Sequence, residues 1–370
     1  MQQLLKKKPV VRLLLIAGIL GTFTVSSFSQ NISSSKITEC QTIIKKMMAE
    51  KHVVGMAITV IQRGDTVWSE GFGFADLENQ TKVDPATTLF RVGSVSKPLT
   101  STAVAKLYEQ NQLNLDDKIH QYVPYFPKKR YPITVRHLAS HTSGIRHYSS
   151  EPEEYWNQKF FGSVKESLTM FQDDSLLFEP GEKFRYSSFG YNTLSAVIEG
   201  ASGSDYLSYL DKSIFTPLGM HHTIADFTDS VIVGRSEPYQ YDTVSSSVIN
   251  TDFVDNSYKW AGGGLLSTTE DMATFAWAFH KNQIVSESTK QLFTQPLQLN
   301  SGEYHAYALG WARSADLSDP NYGHGGTAIG GKGSIKIYPE SDLVIAIAAN
   351  VWKVGYRDEI DQVIDLWLNQ

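Results

Sequence analysis

The sequence predicts an α+β fold, in which an antiparallel sheet is flanked by helices and a mainly helical lobe is inserted within the chain that builds the sheet. Three observations support this prediction. Strand patterns occur near both ends of the chain, at residues 53–73 and 306–349. Between them, from about residue 94 to residue 203, the apolar residues follow mostly helical spacing. A last stretch, residues 358–368, predicts a helix that closes the chain.

The chain opens with a charged stretch followed by an apolar one. Lysines at residues 6–8 precede the apolar residues 13–25, and small residues follow. This order is typical of a secretory signal peptide cleaved between Ser29 and Gln30, and the apolar run is short for a membrane-spanning helix. We therefore expect residues 1–29 to be a signal peptide and the mature protein to be secreted, in the periplasm, without stable membrane insertion. The alternative is an uncleaved N-terminal anchor.

Charge and cysteine content limit the partners and the covalent structure. Loss of residues 1–29 removes four positive charges and no negative one, so the formal net charge changes from −6 to −10. Such an acidic protein is not expected to bind nucleic acid or anionic lipid. Cys40 is the only cysteine, so no intrachain disulfide can form. Its place among helically spaced apolar residues predicts a buried structural thiol.

The first elements are a helix around Cys40 and a β-hairpin. The hairpin strands are residues 53–61 and 65–73, joined by a turn. The turn contains Arg63-Gly64-Asp65, which also occurs as an adhesion tripeptide. We interpret it as turn chemistry, because Gly-Asp is what a tight turn requires.

The later elements return to the sheet. Ser267 and Glu270 form a capping-box pattern that predicts a helix start. We expect a sheet lobe at about residues 36–93 and 262–370 and a helical lobe at about residues 94–261. The predicted strands after the second boundary are residues 306–312, 333–338 and 343–349, with a turn at residues 339–342.

Ser94 and Lys97 are the strongest chemical signal in the sequence. A serine hydroxyl is a poor nucleophile until a neighbouring base takes its proton. Residues three positions apart on a helix share one face, so the Lys97 amine can reach the Ser94 hydroxyl. At a helix start, backbone N–H groups are also available to stabilise an oxyanion.

Two further segments add candidate groups. Tyr186 stands at a helix start, where its phenol can act as a base only if a cation such as Lys97 stabilises the phenolate. His324, with Gly325 and Gly326, precedes a strand and could orient a substrate or assist proton transfer. Without partners, Tyr186 would be interpreted as interface packing and His324 as structural. The glycines allow close backbone approach, but no Gly-Lys-Ser/Thr sequence indicates phosphate binding.

No metal site is expected. His137, His141 and His147 cluster along the chain, but they lack the His-Glu-x-x-His pattern or comparable carboxylate spacing. His221 and His222 are adjacent, so their side chains diverge on any regular element.

In their order along the chain, Ser94-x-x-Lys97, Tyr186-Ser187-Ser188 and His324-Gly325-Gly326 resemble the motifs of the serine β-lactamase and penicillin-binding protein superfamily. The similarity lies in its class C-like branch. Residues 135–148 and 261–264 are most similar to mitochondrial β-lactamase-like proteins and their bacterial relatives. The resemblance implies the β-lactamase/transpeptidase-like form of the predicted fold.

The resemblance also implies a mechanism. Ser94 would attack a carbonyl and form an acyl-enzyme, Lys97 and Tyr186 would share the proton transfer, and water would hydrolyse the intermediate. The backbone N–H groups of Ser94 and Thr327 would form the oxyanion hole, and His324 would complete the catalytic group. No metal or organic cofactor is implied, and the substrate would be a small peptide, amide or ester.

The expected substrate-binding residues are Ser188, Gly325, Gly326 and Arg313, which could bind a carboxylate although such an arginine more often pairs with a surface acid. Ser188 stands where the family commonly has Asn, and His324 stands where it often has Lys. Because His324 is mostly neutral near pH 7, penicillin hydrolysis is not the favoured activity. The alternatives are a non-catalytic or filament-forming binding protein, or a weak β-lactamase or D-alanyl-D-alanine carboxypeptidase. An oligomer is possible.

Overall fold

A seven-stranded antiparallel sheet is the framework of the protein, in a computed structural model that describes residues 34–149, 152–314, 316 and 318–369. The predicted signal peptide, residues 1–29, lies outside the described residues. The strands are β1 Gly55–Gln62, β2 Asp65–Asp76, β3 Thr81–Lys82, β4 Phe90–Arg91, β5 Ile224–Ala225, β6 Tyr239–Asp242, β7 Ser247–Asn250, β8 Leu265–Ser267, β9 Leu297–Gln298, β10 Tyr304–His305, β11 Ala312–Arg313, β12 Tyr322–Ala328, β13 Gly331–Tyr338, β14 Leu343–Ala349 and β15 Val351–Trp352.

The helices surround this sheet. They are α1 Ser34–Glu50, α2 Ser96–Glu109, α3 Val135–Ala139, α4 Pro152–Tyr155, α5 Val164–Ser167, α6 Ser188–Ser202, α7 Tyr206–Leu210, α8 Thr216–Leu218, α9 Trp260–Gly263, α10 Thr269–His280, α11 Glu287–Thr294 and α12 Arg357–Leu368. Short 3-10 helices occur at Gly93–Val95, Ile119–Gln121, Leu168–Met170, Ser257–Lys259 and Pro339–Ser341, and a π-helix at Asp211–Phe215. None of the described helices is long and apolar enough to cross a membrane.

Strands from both ends of the chain meet in the main sheet, whose order is β11-β12-β13-β14-β1-β2-β3. The central pairing is between β1 and β14, which lie almost 300 positions apart and run antiparallel from Met56 opposite Ala349 to Gln62 opposite Leu343. Smaller sheets have the orders β4-β8-β5, β15-β6-β7 and β10-β9. The predicted α+β fold with an antiparallel sheet and flanking helices is confirmed.

The two faces of β14 belong to two hydrophobic cores, because successive strand residues point to opposite sides. Val344, Ala346 and Ala348 join the larger core, which packs against α2, α6 and α10. We call this side the inner face. Ile345 and Ile347 point to the other side, the outer face, which α1 and α12 cover. The active-site motifs lie on elements at the inner face.

The outer layer contains the predicted buried thiol. Cys40 on α1 is fully buried with Ile44 and Trp367, and burial raises the pKa of its thiol to about 11. Trp367 on α12 stacks on Trp68 of β2, with ring centroids 6.1 Å apart. The layer is therefore joined by apolar packing across three elements.

The predicted hairpin is present, and its turn residues explain the sharp reversal. Arg63 and Gly64 both have positive φ, 54° and 97°, which matches the twist of a two-residue hairpin turn. Arg63-Gly64-Asp65 therefore has the turn geometry that the sequence predicts.

Two local predictions are wrong. The predicted capping box fails because Ser267 belongs to β8, so Thr268 caps α10 by accepting from the Asp271 N–H, while Glu270 accepts from Ser69. The predicted strand at residues 306–312 is interrupted by a tight turn, since Gly310 has a φ of 89° and lies against Ser101.

Candidate active site

Ser94 and Lys97 lie at the junction between β4 and α2. Ser94 is the middle residue of the 3-10 helix Gly93–Val95, and Lys97 is the second residue of α2. Residues three positions apart lie on the same face of consecutive helical turns, which brings the two side chains together. The Lys97 Nζ lies 3.1 Å from the Ser94 Oγ. Ser94 is partly exposed whereas Lys97 is fully buried, so a substrate can reach the hydroxyl while the amine stays behind it.

The surroundings of Lys97 favour a neutral amine. Its Nζ also lies 3.0 Å from the Ser188 Oγ and donates to the Gly262 carbonyl. Burial holds the pKa of Lys97 well below its usual range, and the nearby charge of Lys259 lowers this pKa further. A neutral amine has two N–H donors and one lone pair, so it can donate to Gly262 and Ser188 and still accept a proton from Ser94.

Tyr186 completes the group around the Ser94 hydroxyl. The Lys97 Nζ lies 4.7 Å from the centre of its ring, and the Ser94 hydroxyl is near enough to lower the pKa of its phenol. Burial raises the pKa of Tyr186, and the Ser94 hydroxyl offsets only part of this rise. The phenol is therefore protonated at rest and cannot accept the Ser94 proton. The neutral amine of Lys97 can accept it, so Lys97 is the base.

Two glycines allow β12 to approach the Ser94 turn. Gly93 has a φ of 53°, and a Cβ there would lie 2.7 Å from the backbone nitrogen of Thr327. A Cβ on Gly326 would collide with the Val92 carbonyl and lie 2.8 Å from the Ser94 nitrogen. The backbones of these two segments are therefore in direct contact.

The register of the β12–β13 hairpin directs the Thr327 N–H toward this contact. The hairpin turns at residues 329–330, with Ala328 opposite Gly331 and Thr327 opposite Lys332. In a two-residue hairpin the closing pair is hydrogen-bonded and the next pair is not. The N–H of Thr327 consequently points away from β13. Strand β11 pairs with β12 only at Tyr322 and Gly323, which leaves this edge open.

His324 lies beside Tyr186, and both of its ring nitrogens are hydrogen-bonded. Its Nδ1 is 2.6 Å from the Gly325 carbonyl, which can only accept, so Nδ1 carries the proton. Its Nε2 must then accept from the Tyr307 hydroxyl, 2.9 Å away. Burial lowers the pKa of His324 to about 3, with Lys97 contributing to the shift. His324 is a neutral imidazole held in one tautomer.

Ser188 was expected to bind substrate, but it is buried and hydrogen-bonded within the protein. It is buried and bonds Lys97, while its backbone N–H donates to the Nδ1 of His147 at 3.1 Å. The Nδ1 of His141 accepts in the same way from the Ser187 N–H. Burial lowers the pKa of His147 to about 4 and holds that of His141 well below its usual range. These imidazoles therefore support the Tyr186–Ser188 segment.

Arg313 does not join this cluster. Its guanidinium donates to the main-chain carbonyls of Thr294 and Asp319, at 3.1 and 2.7 Å. This engagement argues against the predicted contact with a substrate carboxylate. Gly325 lies exposed on the open β12 edge and Gly326 faces the Ser94 turn, so both remain next to Ser94.

Three groups of the site were missed by the sequence reasoning. Tyr307 and Gly262 contact His324 and Lys97, and Lys259 affects the pKa of Lys97. No residue spacing indicates these contacts, although Gly262 belongs to residues 261–264, one of the segments that carry the family resemblance. As to metals, within the described part of the chain no three His, Cys, Asp or Glu side chains are grouped to hold an ion.

The sequence of the chain was compared with protein families and with known proteins. The β-lactamase family model matches residues 40–366. The chain belongs to the β-lactamase family. The human mitochondrial serine beta-lactamase-like protein LACTB is 35% identical over 316 residues, covering 67% of this chain and 56% of the human protein. Penicillin-binding protein 4* of Bacillus subtilis is 28% identical over 292 residues, covering 76% of this chain and 64% of that protein.

Two solved structures share the fold of this chain. The octameric penicillin-binding protein homologue from Pyrococcus abyssi superposes with a TM-score of 0.79 at 27% identity, covering 90% of this chain and 78% of that chain. EstCE1, a hydrolase with promiscuous acyltransferase activity, gives 0.76 at 22% identity, covering 90% and 98%. The chain spans a little over half the length of the mitochondrial relatives that it matches.

Proposed function

We propose that the protein is a serine hydrolase that cleaves a peptide, amide or ester bond through an acyl-enzyme on Ser94. The observation that carries the proposal is the buried Lys97 amine 3.1 Å from the partly exposed Ser94 hydroxyl. The β-lactamase family has a serine hydrolase fold. A serine hydrolase requires a base within reach of its nucleophilic hydroxyl, and Lys97 and Ser94 meet this requirement.

The proton transfers follow from the protonation states. The neutral Lys97 amine takes the Ser94 proton as the Ser94 oxygen forms a bond to the substrate carbonyl carbon. When the bond to the leaving group breaks, the Tyr186 phenol gives that group a proton and recovers one from Lys97. A water molecule then attacks the acyl-enzyme in the reverse sequence, releasing the acid and restoring Ser94.

The Ser94 and Thr327 N–H groups are proposed to hold the oxyanion of the tetrahedral intermediate. Gly93 and Gly326 allow these two N–H groups to lie close together, and the hairpin register directs the Thr327 group outward. Removing one such donor from a serine hydrolase costs about 3–4 kcal/mol of transition-state stabilisation. The exposed edge of Gly325 is then available to the substrate backbone.

Two features favour a substrate other than a penicillin. Ser188 is occupied by Lys97 and is too short to hold a substrate amide as an asparagine would. His324 is neutral, so the position that is often a lysine supplies no full charge for a carboxylate. We therefore place esters and small peptides ahead of penicillins.

A substrate panel tests the proposal. The purified protein is compared with Ser94→Ala on short-chain aryl esters, D-amino-acid peptides and a chromogenic cephalosporin. The expected result is Ser94-dependent turnover of an ester or peptide and slower turnover of the cephalosporin. Turnover that is equal in Ser94→Ala would place the nucleophile elsewhere.

We also propose secretion and an oligomeric state. Secretion rests on the lysines and apolar run at the N-terminus, and N-terminal sequencing of the exported protein is expected to begin at Gln30. Oligomerisation is suggested by the homologue from Pyrococcus abyssi, which is octameric. Size-exclusion chromatography of the mature protein tests it, and a polymer in which Ser94 cannot be labelled would favour the non-catalytic alternative.

A further inference from the structure

Lys259 is a buried lysine next to the active site that the proposed mechanism does not use. It precedes α9, the helix whose Gly262 carbonyl accepts from Lys97. Only 5% of its surface is exposed. Its Nζ lies 5.1 Å from the ring centre of Tyr258, 5.7 Å from that of Tyr155 and 5.8 Å from that of Tyr148.

The described carboxylates near Lys259 are committed to other partners. Asp226 forms ion pairs with Arg91 and Arg235, at 2.8 and 3.2 Å. Asp255 bonds Thr228 and the backbone N–H of Ser257. Among the side chains that the structure describes, none forms an ion pair with Lys259, and the tyrosine rings offer only their weakly negative faces. A buried ammonium without a direct counter-ion is costly: burial and the charge of Arg91 lower the pKa of Lys259 to about 7, although the more distant Asp226 and Asp255 act in the opposite direction.

Lys259 lies at one end of the group around Ser94. Tyr148, one of its three rings, contacts the His147 ring in a tilted arrangement with centroids 4.4 Å apart, and the charge of Lys259 lowers the pKa of both Lys97 and His147. Ring contacts continue from His147 to Tyr186 and from Tyr186 to His324, with centroids 5.6 and 6.4 Å apart. The candidate site therefore has a neutral imidazole, His324, at one end and the buried amine of Lys259 at the other.

We propose that Lys259 is a specificity-determining residue that binds a carboxylate of the substrate, within a wall formed by Tyr148, Tyr155 and Tyr258. The inference rests on the proposed hydrolase function and names its substrate class, esters or amides with an anionic group near the scissile bond. A bound carboxylate supplies the counter-ion that Lys259 lacks, and a charge-assisted hydrogen bond in a site with little water is strong. This assignment moves the anion site from Arg313 to Lys259.

Matched esters test the proposal and locate the carboxylate. The first pair is the 4-nitrophenyl monoester of glutaric acid and its methyl ester, which differ only by the charge on the acyl side. The second pair is 3-acetoxybenzoate and its methyl ester, in which the charge is on the leaving group. Values of kcat/KM are measured for the full-length mature protein, Lys259→Met, Lys259→Arg and Lys36→Met.

Lys36→Met is the control, because Lys36 also lies over an aromatic ring, 5.4 Å from the centre of Trp367, but on α1 at the outer face. In one pair we expect the wild type and Lys36→Met to prefer the charged ester by about tenfold or more, the equivalent of one good ion pair. Lys259→Met should lose that preference while hydrolysing the neutral ester, and Lys259→Arg should retain most of it. Thermal unfolding verifies that each variant is folded.

Four results would overturn the inference. A wild type without preference in either pair, or a preference that survives in Lys259→Met, removes Lys259 as the anion site while the hydrolase proposal stands. An equal loss on charged and neutral esters would assign Lys259 to the support of Lys97 instead. Absence of any turnover together with an unlabelled Ser94 would overturn the proposed function and this inference with it.

Discussion

Burial sets the protonation states of the residues around Ser94. An isolated lysine is charged at neutral pH, yet Lys97 has no exposed surface and a second cation, Lys259, nearby, and both disfavour the ammonium. Burial raises the pKa of Tyr186, because it disfavours the charged phenolate. One environment thus gives a neutral base and a neutral acid, which is the pair that acyl transfer requires.

The pH dependence of Ser94 reactivity tests this assignment. Only the neutral Lys97 amine accepts a proton, so the rate of labelling by a fluorophosphonate should rise with pH through the pKa of Lys97 and then level off. Because that pKa is lowered, the plateau should be reached well below the ordinary lysine value. Lys97→Met should be slower by about 10²–10⁴-fold and show no such rise. A wild-type midpoint near pH 10 would contradict a neutral Lys97.

Tyr307→Phe tests the tautomer of His324. The substitution leaves the buried Nε2 acceptor without its donor, which costs about 1–3 kcal/mol of the free energy of unfolding. Chemical denaturation measures this loss, and labelling of Ser94 should persist in the folded variant. Unchanged stability would mean that the hydroxyl of Tyr307 does not hold the imidazole.

At the scale of elements, the site depends on the contact between β12 and the turn Gly93–Val95. The glycine-rich segment was predicted from the sequence to precede a strand, whereas it forms the strand β12 itself. Gly326 faces the Ser94 turn and Gly325 faces open space, since strand residues alternate. This alternation gives two neighbouring glycines different roles.

Gly326→Ala should separate β12 from the Ser94 turn. The new methyl group would overlap the Val92 carbonyl, so we expect a loss of about 1–3 kcal/mol of unfolding free energy or more, and severely slowed labelling of Ser94. Gly325→Ala is the stability control, because a Cβ there meets no atom within 4 Å. Equal unfolding midpoints for the two variants would contradict the close contact.

Local rules predicted the elements whose causes are local. The hairpin β1–β2 follows from its two-residue turn, and β14 follows from a continuous apolar run. The break at Gly310 depends on packing against Ser101, and the cap of α10 shifts because β8 pairs with β4, more than 170 positions away. Such tertiary contacts leave no periodic trace in the sequence.

At the scale of the molecule, the sheet separates the active site from the layer formed by α1 and α12. The motif residues Ser94, Lys97, Tyr186 and His324 could be predicted because each belongs to a recognisable segment. Lys259 could not, since only the folded chain brings it beside Lys97 and His147. The division into lobes at about residues 93 and 262 remains our proposal.

Trp367→Ala tests the independence of the outer layer. The ring is fully buried between α12 and Trp68, so its removal should cost about 3–5 kcal/mol of unfolding free energy. Labelling of Ser94 at a temperature where the variant is folded should match that of the wild type. A large change in the labelling of Ser94, in a variant that keeps the helix content of the wild type, would show that the two faces of the sheet are coupled.

The central claim is that Ser94 is an activated nucleophile. The most direct measurement is mass spectrometry of the protein after reaction with a fluorophosphonate, followed by identification of the modified peptide. We predict one adduct per chain, carried by Ser94, absent from Ser94→Ala and strongly slowed in Lys97→Met. An adduct on another residue, or labelling of Ser94→Ala at the wild-type rate, would contradict the account.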